Sequence, residues 1–80
     1  QVFRKEYRVE FTIYPNPTTD YITIKADVTP QSVRVMDMTG KTHREEGYSS
    51  RIDVTELPSG TYILNLIYAD HLEARRFIKR

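Results

Sequence analysis

"IYPNPTTDYITIK", residues 13–25, sets two prolines one residue apart immediately ahead of an alternating run. The run decides the fold reading. Ile22 and Ile24 alternate with Tyr21, Thr23 and Lys25, the pattern of a strand with one face toward a core. The prolines set its boundary. Pro15 and Pro17 have no N–H to give to a ladder, so neither belongs in the middle of a sheet. Each also pushes its predecessor, Tyr14 or Asn16, toward extended backbone. The expectation is a stiff, polyproline-like corner feeding the strand, with Thr19 or Asp20 returning a side-chain hydrogen bond to nearby backbone. "NPT" has the outline of a glycosylation sequon, but Pro in the middle position abolishes it.

Outward from this stretch, strand signals continue. Val33 and Val35 alternate with Ser32 and Arg34, and Ile52 and Val54 with Arg51, Asp53 and Thr55. Residues 61–68 are apolar on both faces except at Asn65, which predicts a central strand covered on both sides. Residues 11–14 and 74–79 are β-capable, whereas residues 2–9 mix β-formers with charges and read as a first edge strand or a linker. No 3.6-residue period is sustained, and "HLEARR" is too short to stand as a helix. "DMTGK" places Asp37 first and Gly40 last in a type I turn. "LPSGTY" places Pro58 where φ near −65° is wanted and Gly60 where a left-handed residue closes the turn. Asp70 in "ADHLE" is a further turn former. The fold expected is an all-β antiparallel sandwich of about six or seven short strands.

Composition bounds the rest. At 80 residues, 39% hydrophobic and 29% charged, the chain makes one small folded domain rather than a disordered tail. A chain of this size buries only roughly 60–65% of its unfolded surface, so its stability is modest. Cysteine is absent, which excludes a disulfide framework and a Cys-based zinc site. Net charge is +1, from 12 basic and 11 acidic residues interspersed along the chain, so no global field points to nucleic acid. The exception is "ARRFIKR", where Arg75, Arg76, Lys79 and Arg80 crowd together. Two readings stand: a solvated edge strand whose charges discourage pairing, or a segment read by an anionic partner or receptor. The longest apolar runs, 62–64 and 66–68, are far too short to span a membrane. Without an initiator Met or a secretory leader at Gln1, the chain reads as a piece cut from the end of something longer.

A search for reaction chemistry finds little. His43 lies in the charged run "KTHREE" and His71 in a turn, both expected to be solvated. The serines have no nucleophile-elbow setting, and no cluster has zinc spacing or an EF-hand loop. Gly40, Gly47 and Gly60 are too far apart to cradle phosphate. The six tyrosines and three phenylalanines are better placed as strand and core residues than as a sugar platform. The expectation is a protein that is not an enzyme and carries no cofactor or metal.

The ordered set "YPNPTTDYITIK", "VMDMTGKTH", "LPSGTYILNLI" and "RRFIKR" resembles the C-terminal sorting domain of type IX secretion cargo, over residues 11–80. Pro15, Asn16 and Pro17 match that family's first motif, with Asp20 and Ile22 behind it. Gly40 and Lys41 match its "GK" turn, Leu57, Gly60 and Tyr62 its "L-x-x-G-x-Y", and Phe77, Ile78, Lys79 and Arg80 its basic-apolar terminal segment.

The resemblance implies an Ig-like β-sandwich of Bacteroidota that catalyses nothing and acts as an address label. Its cargo would cross the periplasm, meet the outer-membrane translocon and a shuttle protein, and reach the cell surface or medium. There a sortase would remove the domain, at a bond within residues 1–10 or upstream. Recognition of the end by β-addition would use backbone hydrogen bonds for affinity and side chains such as Phe77 and Ile78 for specificity. Arg75, Arg76, Lys79 and Arg80 would then steer and orient. The alternative is a small carbohydrate-binding or adhesion module appended to a secreted enzyme; a structural spacer is a third. Open sheet edges also allow a weak homodimer.

Overall fold

The computed structural model of the chain describes residues 10–80. The reading of residues 2–9 as an edge strand or linker lies outside the described residues. Seven strands follow in order: β1 (Phe11–Tyr14), β2 (Tyr21–Ala26), β3 (Ser32–Asp37), β4 (Thr42–Gly47), β5 (Arg51–Asp53), β6 (Gly60–Ile67) and β7 (Leu72–Lys79). They form two antiparallel sheets, β1-β2-β5 and β4-β3-β6-β7. Against a seven-stranded Ig constant-type arrangement, the fourth strand has left the sheet of the first, second and fifth to join the third.

The alternating positions build the core as expected. Ile22, Ile24, Ile52 and Val54 from one sheet meet Val33, Val35, Leu64, Leu66 and Phe77 from the other, all buried. Phe11, Leu57, Tyr62 and Tyr68 close the cluster. Every strand but β4 gives one face to this layer, as facing sheets with interdigitated side chains require.

One strand has no apolar signal in the sequence, and one expectation changes. β4 was unmarked by any apolar alternation; it lies at a sheet edge, half-exposed along most of its length, and is held by its pairing with β3. β6 is central in its sheet, as its apolar run suggests, but among the described residues a second sheet covers only one of its faces. On the other face Thr61, Ile63 and Ile67 are half-buried among side chains of the same sheet, and buried Asn65 donates through Nδ2 to Met36 Sδ at 3.1 Å. "HLEARR" is not helical; it contributes the start of β7.

The "DMTGK" turn forms as its residues predict. Gly40 N–H donates to Asp37 C=O at 3.0 Å, and Gly40 holds φ +93°, which favours a residue without a Cβ.

Candidate functional site

The strand directions bring the quoted motifs together. β1 ends and β2 begins at the same pole of the sandwich where β3 ends, β4 and β6 begin and β7 ends. The proline corner, the "GK" turn, the "LPSGTY" corner and the end of β7 therefore meet there, although they are spread across the chain.

The proline corner closes on β7. Tyr14–Pro15 and Asn16–Pro17 are both cis, in place of the polyproline-like corner expected. Between them Asn16 turns its amide onto the strand edge: Oδ1 accepts from Ile78 N–H at 3.0 Å, and Nδ2 donates to Arg76 C=O at 3.4 Å. Thr18 then pairs as a short parallel strand. Its N–H donates to Ile78 C=O at 2.9 Å, and its C=O accepts from Arg80 N–H at 2.8 Å. The Thr18 side chain is buried, with its hydroxyl donating to Tyr21 C=O. Thr18, not Thr19 or Asp20, makes the local side-chain bond; the backbone C=O of Asp20 instead accepts from Val54 N–H at 2.8 Å. The two prolines, lacking N–H, leave the corner's hydrogen-bond donation to Asn16 and Thr18.

The "LPSGTY" segment makes a tyrosine corner, with Tyr62 OH donating to Pro58 C=O at 2.6 Å four residues upstream. Gly60 opens β6 with φ +157°. The Tyr62 ring stacks on Phe77, centroids 5.7 Å apart, and takes the His43 ring edge-on at 5.5 Å. Burial, with help from the Asp37 charge, pushes the Tyr62 hydroxyl above its ordinary pKa. Asp37 gathers the neighbouring turn. It accepts from Thr39 N–H and Oγ1, from Lys41 N–H and from His43 Nε2, the last at 2.8 Å. The Thr39 hydroxyl first, then His43, hold this carboxyl well below the usual range. His43 is thus paired rather than solvated.

The end of β7 divides its side chains between the two faces. Phe77 is fully buried and Lys79 is 7% exposed, so neither side chain is open to a receptor in the folded domain. Lys79 Nζ donates to Leu57 C=O at 3.1 Å and Arg80 C=O at 3.0 Å, tying the "LPSG" segment to the last strand. Arg76, Ile78 and Arg80 are exposed, and the Arg75 guanidinium lies 4.2 Å over the Phe11 ring, away from the pole. Pro15, Asn16, Pro17, Asp20, Gly40 and Lys41 are exposed, whereas Leu57 and Tyr62 are core. Thr18, Pro58, Asp37 and His43 complete the pole without having been singled out for it. Only the Asx-turn chemistry of Asp37 was there to read.

His71 stands at the opposite pole, in the β6–β7 turn. Its Nδ1 is 2.7 Å from Asp70 Oδ1, its Nε2 is 3.1 Å from Glu73 Oε2, and its ring stacks on Tyr68. The hydrogen bond to Asp70 raises the imidazole above its ordinary pKa, against a smaller opposing effect of burial. A raised folded pKa contributes stability below the unfolded value of about 6.5 that is lost as pH rises through the folded value. The stability difference between wild type and His71→Gln, read from urea midpoints, should accordingly be larger near pH 5.5 than near pH 8.5. An equal difference at both would remove the charged pair from the turn's stability.

The fold and its pole define a small β-sandwich in which Asn16, Leu57 and Tyr62 contact the last strand. The profile of the secretion system C-terminal sorting domain matches residues 12–80, and the chain belongs to that family. It is a sorting signal of type IX secretion, a role that directs export to the cell surface or the extracellular space. No curated protein matches the sequence.

Proposed function

We propose that the domain directs its cargo through the outer-membrane type IX translocon by presenting the pole at the end of β7. There a shuttle or translocon component reads it, and a surface sortase then removes it. The family match over residues 12–80 carries this reading. The convergence of the motifs on β7 supports it, because the proline corner and Lys79 hold Arg76, Ile78 and Arg80 outward in one fixed arrangement. Recognition then falls to these exposed side chains, with the arginines steering an anionic surface into place. Phe77 and Lys79 serve recognition through the strand they anchor.

The test fuses residues 1–80 behind a signal peptide and a fluorescent passenger in a bacterium with a working type IX system. Wild type should reach the surface or medium. Arg76→Glu/Arg80→Glu should fold with an unchanged melting temperature and lose export by at least ~10-fold. Undiminished export of that variant would sink the reading of these charges. A well-folded wild type retained in the periplasm would sink the proposed route itself.

A further inference from the structure

Among the described residues, three of the four sheet-edge strands are poor templates for another chain. β1 has four residues and runs into the prolines, β5 has three, and β4 carries Arg44, Glu45 and Glu46 beside an irregularity at His43, which the pairing of Val35 with Arg44 and Met36 with Thr42 skips. β7 has eight residues and is covered only in part. Asn16 and Thr18 bond the outward backbone groups of Arg76, Ile78 and Arg80. By the alternation of the ladder, Leu72 and Ala74 aim their N–H and C=O the same way, away from β6. Among the described residues no backbone group meets them there. Leu72 is 52% exposed, and Ala74 is exposed.

The residues along this open half are complementary to themselves. We propose that it pairs with the same segment of a second copy, antiparallel about a two-fold axis at Ala74. In that register the Ala74 residues of the two copies exchange both backbone hydrogen bonds. Glu73 of each copy lies opposite Arg75 of the other, a position where side chains approach closely. Leu72 lies opposite Arg76, whose N–H is unoccupied among the described residues. The limits agree as well. Leu72 is where each chain leaves for the β6–β7 turn, and Arg76 is where the Asn16 contact begins. A two-fold axis at Ala74 matches the first limit of one copy to the second limit of the other. A foreign strand would have to satisfy a negative charge and a positive charge two residues apart, which this segment supplies to itself. The product is an isologous dimer with one continuous eight-stranded sheet.

So short a contact buries less than a standard interface, and the dissociation constant should be on the order of 100 µM. Sedimentation of the full chain from about 20 µM to about 1 mM should show dimer growing with concentration. Ala74→Pro, whose lost N–H faces away from β6, should leave the melting temperature nearly unchanged and the chain monomeric. Glu73→Arg and Arg75→Glu, each opposing like charges twice, should weaken association ~10-fold, and the double variant should restore it. A wild type that stays monomeric at ~1 mM overturns the proposal. So does a dimer indifferent to Ala74→Pro, or a double variant as weak as the singles.

Discussion

Phe77→Ala should remove about 3–5 kcal/mol of stability, the cost of emptying a buried phenylalanine site. The residue has 0% exposure and its ring stacks on Tyr62. A chain of 80 residues has roughly 4–12 kcal/mol in all, so much of the variant should be unfolded at physiological temperature. Urea titration followed by far-ultraviolet circular dichroism would measure it. A loss below about 1 kcal/mol would mean the two sheets can close over the gap, and that Phe77 is not the anchor of the pole. The result bears directly on export experiments. Any truncation that removes residues 75–80 also removes Phe77 from the core, so a loss of export would report unfolding as readily as lost recognition. Surface substitutions at Arg76 and Arg80 avoid that ambiguity.

Lys79→Ala should cost about 2–4 kcal/mol, an unusual penalty for a lysine. Most lysines lie at the surface, where replacement changes stability by less than about 0.5 kcal/mol. Here the side chain is buried, and its ammonium is the shared donor to Leu57 C=O and Arg80 C=O. Alanine removes both the packed stem and the donor, leaving the two carbonyls without it. Lys79→Met keeps the stem and should recover about 1–2 kcal/mol of the loss. The comparison is made by thermal and urea unfolding of both variants. If alanine is as harmless as at an exposed site, the tie between the "LPSG" segment and β7 carries no stability.

Much of the sandwich was legible because one-sided burial writes itself into alternation. Ile22/Ile24, Val33/Val35 and Ile52/Val54 could be placed from the sequence alone. β4 could not. Its residues are held by the backbone of β3 and by contacts such as Arg34 to Glu45 at 3.4 Å, so hydrophobicity carries no period there. The family motifs were legible as motifs, but their meeting point was not, since it depends on which sheet each strand joins. Lys79 shows the limit most plainly. In "RRFIKR" it looks like one basic residue among four, and only its burial and its bonds to Leu57 and Arg80 reveal that its stem points inward. Asn16 is similar: its position between two prolines marks a corner, yet its partners Arg76 and Ile78 lie 60 and 62 residues away.

The parallel contact of Thr18 with β7 has a mechanical consequence. β1 and β7 both run toward the same pole, so a pull that separates Phe11 from Arg80 drags Thr18 one way and the end of β7 the other. The bonds Thr18 N–H to Ile78 C=O and Arg80 N–H to Thr18 C=O are then loaded side by side, with the two Asn16 bonds beside them. In a hairpin peeled from its end, bonds break in turn; here they must fail together. A passenger joined ahead of β1 and a grip on the far end of β7 would apply that load, so the proline corner makes the domain a tow-hook rather than a zipper.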